Sequence, residues 1–237
     1  MWYNKNGGKM KMLVTDFDRT LFPDHFEENI ISINDFVDQG NILVIATGRN
    51  LKSLYDQIKE YNIKYNYLIC NDGAVIYDQN LNSIFQVEIE PKLAEKIVRE
   101  LKKDKNIKEV FVSDGYNLLE NVSQVTAIFG KHIKKYLAFK TLKKIVNKFD
   151  NVHGYVSTNW VAINDKKASK GMAVKYLVSK YNLAKEDVFT IGNSFNDISM
   201  NEMYQGYSVK KANYALKRVS IGKVKSVSEL IKIINQK

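Results

Sequence analysis

Short apolar runs alternate with helical stripes of apolar residues along the first third of the chain. The runs lie at 11–16, 42–46 and 67–70, and they are typical of strands that are buried on both faces of a parallel sheet. Between them, apolar residues recur at helical spacing at 30–37 and 54–61. This order predicts a parallel sheet with right-handed crossovers, in which a ligand would bind at the carboxyl ends of the strands.

The alternation of strand and helix is interrupted in the middle of the chain and resumes near residue 169. The elements predicted after residue 77 are strands at 83–90, 110–112, near 155, at 160–163 and at 188–191, and helices at 91–103, 139–149 and 169–181. We therefore predict an α/β fold with a parallel-sheet core, formed by 1–81 and 165–237. A smaller α+β domain is inserted at 82–164.

The composition is that of a globular protein. With 237 residues, 45% of them hydrophobic, the chain can bury a sizeable core. The single cysteine, Cys70, lies in an apolar run, which argues against a disulfide framework and fits a reducing compartment. No apolar stretch approaches the roughly 20 residues of a membrane span, and residues 1–11 lack the apolar core of a signal peptide. We expect a cytoplasmic protein.

The formal net charge of +10 is concentrated in the middle of the chain, where residues 91–150 contain 14 Lys and Arg against 7 Asp and Glu. Solvated, lysine-rich helix faces are the favoured interpretation. A positive rim that attracts anionic phosphate substrates is the second. Nucleic-acid binding is disfavoured because the sequence has no Arg-rich or Gly-aromatic module.

Two aspartates follow the first predicted strand directly, in the segment Asp16-Phe17-Asp18-Arg19-Thr20. Two carboxylates at this spacing lie close enough to raise one pKa or to share a cation. A polar exit from the strand is the competing interpretation. In the functional interpretation, Asp16 attacks phosphorus as a nucleophile. Asp18 then protonates the leaving group and later activates water.

The second predicted strand ends in Thr47-Gly48-Arg49. Gly48 would let the backbone approach an anion, Thr47 offers a hydroxyl group, and the following helix start adds positive potential. A generic turn between strand and helix explains this segment equally well. We nevertheless predict a phosphate-binding or substrate-binding segment, because it occupies the same sheet edge as Asp16.

Two further clusters follow core elements later in the chain. Lys170 lies at the start of a predicted helix, where a lysine can neutralise both a nucleophile and a bound phosphate, although a surface lysine is the competing interpretation. The segment 191–197 supplies amide and carboxylate oxygens that suit a hard cation or a phosphate, or alternatively a helix cap. Four such clusters at four core strand ends favour a phosphate site over coincidence.

Together these motifs resemble the haloacid dehalogenase superfamily, specifically its Cof-like phosphatases of subclass IIB. The segment Asn71-Asp72-Gly73-Ala74 is similar to the Asn-Gly-Ala segment of that subclass. The resemblance covers residue 10 to the C-terminus. It implies a Rossmann-like core and an inserted cap that closes over the site. It also implies Mg²⁺-dependent hydrolysis of small phosphorylated metabolites, often sugar phosphates, through an aspartyl-phosphate.

The resemblance also implies a role for each matched residue. The catalytic residues are Asp16 and Asp18. The phosphate and substrate ligands are Thr47, Gly48, Arg49, Lys170 and Asn196. The magnesium ligands are Asp16, Asp18, Asn193 and Asp197.

Two residues depart from the family pattern. Arg19 stands where the family usually has glycine; its side chain would either reach a substrate or turn to solvent, and we favour the orientation toward solvent. Asn193 stands where the family usually has a metal-binding aspartate, so we expect metal binding that is retained but weakened, because an amide oxygen carries no charge. A phosphomutase of the same superfamily and a catalytically weakened protein that binds a phosphorylated ligand are the alternative functions.

Overall fold

The chain forms two β-sheets in a computed structural model that describes residues 7–115, 122–157 and 159–236. The strands are β1 (Met12–Asp16), β2 (Ile42–Ala46), β3 (Tyr67–Cys70), β4 (Val75–Tyr77), β5 (Ser83–Gln86), β6 (Ile107–Ser113), β7 (Gln124–Phe129), β8 (Val152–Val156), β9 (Trp160–Asp165), β10 (Val188–Gly192), β11 (Gln205–Val209) and β12 (Gly222–Val224). The helices are α1 (Phe26–Asp38), α2 (Leu51–Glu60), α3 (Pro91–Leu101), α4 (Lys135–Lys148), α5 (Lys170–Tyr181), α6 (Ile198–Met203), α7 (Tyr214–Val219) and α8 (Val227–Asn235).

The core is a sheet of eight described strands in the order β12-β11-β10-β1-β2-β3-β4-β5. The six strands from β12 to β3 are parallel, and β4 and β5 extend the sheet as antiparallel strands. Side chains of β1 alternate between two apolar clusters. Leu13 packs with α1, α2 and α8, and Val14 packs with α5 and α6. Helices therefore cover both faces, which explains why the central strands are continuous apolar runs. The predicted α/β fold class is confirmed.

The second sheet is antiparallel, in the order β6-β7-β9-β8. Helices α3 and α4 pack on it around their own apolar cluster. We call β6–β9 with α3 and α4 the cap. Strand β5 lies inside the predicted insertion 82–164 but pairs with β4 of the core sheet. By sheet membership, we propose that the cap begins after Gln86 and ends with β9.

Three lysines of the middle segment form ion pairs within the cap itself. Glu100 of α3 is only 7% exposed, and the ammonium groups of Lys103, Lys144 and Lys148 lie 3.0, 2.8 and 2.7 Å from its carboxylate oxygens. These lysine contacts hold the pKa of Glu100 well below its usual range. The pairs connect α3 to α4, so these lysines contribute to cap structure.

Several boundaries differ from the sequence-based expectations. The predicted strand at 83–90 ends at Gln86, helix α4 starts at Lys135 instead of 139, and β4 and β7 were not predicted. Strand β4 has three residues, too few for a periodic signal. Strand β7 does alternate, with Gln124 and Thr126 at the cavity and the apolar residues between them in the cap cluster, but the sequence-based prediction did not identify this short pattern. No helix in the described ranges is long and apolar enough to span a membrane.

Candidate active site

A cavity of about 720 Å³ lies between the carboxyl end of the core sheet and the cap. Strand register brings the core motifs to this edge, because Asp16 of β1 is opposite Ala46 of β2, and Thr15 is opposite Ile191 of β10. Residues of β6, β7, β8 and β9 form the cap side of the cavity. The predicted site residues that line it are Asp16, Asp18, Thr47, Gly48, Arg49, Asn193 and Asn196.

Lys170 connects two of the motifs from behind the cavity. Its side chain is 0% exposed, and its Nζ lies 2.7 Å from Asp16 Oδ1 and 2.6 Å from Asp197 Oδ1. Helix α5 begins at Lys170 because the Ser169 hydroxyl caps it and accepts the backbone N–H of Met172. These contacts fit the predicted task of Lys170, which is to neutralise the nucleophile.

Asp197 closes the loop that follows β10. Its Oδ2 accepts the backbone N–H groups of Asn193 and Ser194, each at 2.9 Å, and its Oδ1 accepts from Lys170. A side chain at Gly192 would collide with the Asp197 carboxylate, so glycine permits this close approach. Both oxygens of Asp197 are therefore engaged within the protein. Its role as a metal ligand stays a prediction that would require some of these bonds to break.

The electrostatics of the buried carboxylates favour an additional cation. Burial raises the pKa of Asp16 to about 7, although Lys170 opposes the rise. Burial by itself would lower the pKa of Lys170, but the surrounding carboxylates raise it above its usual range. Lys170 therefore stays charged, and one ammonium group faces several carboxylates.

Asp18 and Arg49 form a bidentate ion pair at the cavity wall. Arg49 Nε lies 2.8 Å from Asp18 Oδ2 and Nη2 lies 2.5 Å from Oδ1. The guanidinium also donates to Gln57 at 2.7 Å and lies over the Phe17 ring, 5.2 Å from its centroid. Arg49 was predicted to bind phosphate or substrate, and that role stays a prediction. In this structure the guanidinium orients the side chain that was predicted to be the general acid and base.

The remaining predicted ligands lie on the loops after β2 and β10. Thr47 is buried, and its Oγ1 accepts the backbone N–H of Arg49 at 3.1 Å, which tightens the turn around Gly48. Asn193 and Asn196 line the same cavity from the opposite side of β1. The two segments that were predicted to bind phosphate therefore flank Asp16.

Arg19 adopts a left-handed backbone conformation, with φ of 63°. Glycine adopts this conformation without strain, which gives a physical reason for glycine at this position in similar proteins. The residue is exposed and lines the cavity, so its orientation toward solvent stays a prediction.

Sequence reasoning assigned no role to Asp72, which also lines the cavity. Its side chain is 3% exposed, and its carboxylate accepts hydrogen bonds from Asn196 at 2.8 Å and from Gln124 of the cap at 3.1 Å. The signal that could have identified Asp72 is its position directly after β3, at the same sheet edge as the other predicted site residues. Residues 71–74 were instead matched to the Asn-Gly-Ala segment of the family, so the carboxylate of Asp72 was not considered.

The residues present fit a divalent cation. Within residues 7–115, 122–157 and 159–236, no group of three or more His, Cys, Asp or Glu side chains is arranged as a metal site. However, Asp16 Oδ2 is buried and has no hydrogen-bond partner in the described part of the chain. Such an oxygen needs an explanation, and an ion is one. With Asp18 and Asn193 lining the same cavity, the donors are the oxygens that Mg²⁺ prefers.

Comparison with known proteins decides the family. A family model described as haloacid dehalogenase-like hydrolase matches residues 13–153 and 104–229. The chain belongs to this family. A Buchnera aphidicola protein that carries a provisional description as a phosphatase is 25% identical in an alignment that covers 87% of this chain and 89% of that protein. An uncharacterised protein of Mycoplasma capricolum is 28% identical over 82% of this chain and 88% of its own length.

Solved structures of haloacid dehalogenase-like hydrolases share the fold. A B. subtilis member superposes with a TM-score of 0.82 at 18% identity, covering 95% of this chain and 99% of that one. A subclass IIB sugar phosphatase has a TM-score of 0.78 at 16% identity, covering 96% and 98%. The similarity to the Cof-like, subclass IIB group is thus confirmed at the level of fold.

Proposed function

We propose that this haloacid dehalogenase-like hydrolase is a Mg²⁺-dependent phosphatase that transfers the phosphoryl group of a small phosphomonoester to Asp16 and then to water. The arrangement of Asp16 carries the proposal. Lys170 holds its Oδ1, while Oδ2 has no partner in the described chain and the residue lines the cavity. Lys170 therefore positions one oxygen, and the buried, unpartnered Oδ2 is the oxygen to which we assign the attack.

The cycle begins with Asp18 released from Arg49 and protonated from solvent, and Asp16 Oδ2 then attacks phosphorus in line. The bond from phosphorus to the ester oxygen breaks, the departing alkoxide takes a proton from Asp18, and an aspartyl-phosphate remains. Water then attacks phosphorus and gives its proton to Asp18. Asp16 and inorganic phosphate are released, which returns the site to its starting state.

The other site residues bind and orient the phosphoryl group. Thr47 and Gly48 approach it from the loop after β2, and Asn196 approaches it from the loop after β10. Lys170 stabilises the negative charge on Asp16. When Mg²⁺ is bound, it screens the repulsion between the nucleophile and the phosphate, and Asp16, Asp18 and Asn193 are the residues that would hold it.

Arg49 has to release Asp18 at least in part during this cycle. As long as the guanidinium engages both oxygens of Asp18, neither is available to a leaving group. The Asp18 side chain is 47% exposed, so a rotation toward the substrate needs little rearrangement of the core. The ion pair thus holds the Asp18 side chain at the cavity wall, and this position sets the direction from which Asp18 approaches the substrate.

A panel of phosphorylated metabolites, with and without Mg²⁺, tests the proposal. We expect Mg²⁺-dependent release of inorganic phosphate from at least one small phosphomonoester, and hexose phosphates are the first candidates because a subclass IIB sugar phosphatase shares the fold. Isomerised hexose phosphate as the product would indicate a phosphomutase instead. Ligand binding measured by calorimetry, without phosphate release from any substrate, would indicate a binding protein.

Replacing Asn193 by aspartate should strengthen metal binding. An Asn193→Asp side chain would add a formal negative charge beside Asp16, so we expect the Mg²⁺ concentration for half-maximal activity to fall by roughly tenfold. Direct titration with Mg²⁺ in a calorimeter checks the same shift without turnover. Equal Mg²⁺ dependence of the two proteins would show that Asn193 is not a ligand.

A further inference from the structure

Asp72 is held rigidly in a costly conformation beside the phosphate-binding loops. Asn71 and Asp72 both have left-handed backbones, with φ of 48° and 56°. Their backbone N–H groups donate to the carbonyl oxygens of Arg49 and Thr47, at 2.9 and 3.0 Å. Two consecutive left-handed residues cost on the order of 1 kcal/mol each, and such strain clusters at functional sites. The loop after β3 therefore fixes Asp72 against the loop after β2.

The two carboxylate oxygens of Asp72 connect the core with the cap. Oδ1 accepts from Asn196 Nδ2 at 2.8 Å, and Oδ2 accepts from Gln124 Nε2 at 3.1 Å. The amide orientation of Gln124 is itself fixed, because the hydroxyl group of Thr126 donates to its Oε1 at 3.1 Å. A polar chain therefore runs from cap strand β7 through Asp72 to the core residue that was predicted to bind phosphate.

A carboxylate is an energetically unfavourable group for a purely structural contact between the cap and the core at the position of Asp72. Burial raises the pKa of Asp72, and no Lys, Arg or His of the described residues lies within ion-pair distance of it. Its oxygens also lie against Gly48, so a negative charge there repels the anion that the site is expected to bind. What a carboxylate offers in return is two acceptor oxygens, which can hold two amide donors at once.

We propose that Asp72 is a positioning residue through which Gln124 of the cap holds Asn196 of the core, so that cap placement and phosphoryl-group binding are linked. The proposal rests on the proposed function, since it assumes that Asn196 binds the phosphoryl group. One amide hydrogen of Asn196 is bound to Asp72, and this contact fixes the orientation of the whole amide group. The direction of the second amide hydrogen, which would bind the phosphoryl group, is thereby fixed as well. When Gln124 moves away with the cap, Asp72 loses one of its two donors.

Binding of inorganic phosphate tests this linkage without turnover. Inorganic phosphate has no leaving group, so it lacks the part of a substrate that would extend toward the cap, and the Asp72→Asn variants below separate an indirect effect of Gln124 from a direct contact. We expect Gln124→Ala to weaken phosphate binding by about tenfold in calorimetry and to raise KM more than it lowers kcat. Tyr67→Phe, which removes the hydrogen bond to Tyr181 at the other end of β3, should change neither.

Replacing Asp72 by asparagine should change the phosphate affinity in opposite directions for a positioning role and for a purely electrostatic role. If Asp72 were only a nearby charge, Asp72→Asn would relieve repulsion and phosphate would bind more tightly. A positioning role predicts weaker binding, because the new amide would present a donor to the donor of Gln124. Combining Asp72→Asn with Gln124→Glu exchanges donor and acceptor, and we expect it to restore most of the phosphate affinity.

Three results would overturn the linkage: unchanged phosphate affinity in Gln124→Ala, tighter binding in Asp72→Asn, or a double variant that recovers only its melting temperature. A wild-type protein that binds phosphate but hydrolyses no phosphomonoester would contradict the proposed function instead. In that case the three comparisons of phosphate affinity would still decide the linkage.

Discussion

Replacing the nucleophile by Asp16→Asn should reduce turnover by roughly a thousandfold or more while the fold persists. The amide has nearly the same shape, but it cannot form the acyl-phosphate that the proposed reaction requires. The change also removes a buried carboxylate whose pKa is raised to about 7, so the folded state should lose little stability. Phosphate release from an aryl phosphate, together with thermal unfolding, measures both effects.

An exposed aspartate provides the matched control for this variant. Asp24 pairs with Lys211 at 2.9 Å on the surface, where its side chain is 62% exposed. Asp24→Asn should therefore retain wild-type turnover. Substantial phosphatase activity in Asp16→Asn would refute the assignment of Asp16 and with it the aspartyl-phosphate mechanism.

Removing the buried ammonium group by Lys170→Met should have the largest combined effect on stability and activity. Lys170 is 0% exposed between Asp16 and Asp197, so its loss leaves two buried carboxylates without their cation. Breaking a buried ion pair in this way costs about 3–5 kcal/mol. Loss of charge stabilisation at the reacting group should lower kcat by about a hundredfold or more. Urea unfolding and steady-state kinetics measure the two effects.

A lysine-to-methionine substitution at the surface shows how much of the loss in stability comes from the burial of Lys170 and how much from the loss of a charge alone. Lys211→Met removes a lysine from an exposed ion pair, in which the ammonium group is 86% exposed, and should change stability by less than about 1 kcal/mol. Unfolding free energies that are equal for the two variants would contradict the view that Lys170 compensates buried charge. Lys170→Met removes the charge that opposes the rise in the pKa of Asp16, so in the variant this pKa lies above about 7 and protonation of Asp16 reduces the cost. We therefore expect the loss of stability in Lys170→Met to grow as the pH is raised, whereas that in Lys211→Met should not.

The core of the fold was predictable because its strands are buried on both faces. Every residue of β1, β2 and β3 is buried, and such strands appear in the sequence as uninterrupted apolar runs. The parallel order then requires that the polar residues after each run meet at one edge of the sheet. Asp16, Thr47 and Asn196 line the common cavity for this reason.

The cap and the sheet edge were less predictable because their signals are short or polar. Strand β5 is partly exposed and follows β4 through a tight antiparallel connection, so the sequence placed it in the insertion. Strand β7 places polar Gln124 and Thr126 on the buried face that lines the cavity, so only its other face is apolar. A polar–apolar alternation over so few residues is a weak signal.

By itself, the sequence determined the order of the central core elements, from β1 to β3 and from α5 to β10, and the chemical groups at their strand ends. Only the tertiary structure decided how those groups pair. Lys170 reaches Asp16 across 154 positions, and Arg49 engages Asp18 at the cavity wall. Asp72 receives one donor from the core and one from the cap. Apolar periodicity is a local property of the chain, whereas the partner of a buried charge is set by distant segments that the fold brings within hydrogen-bond distance.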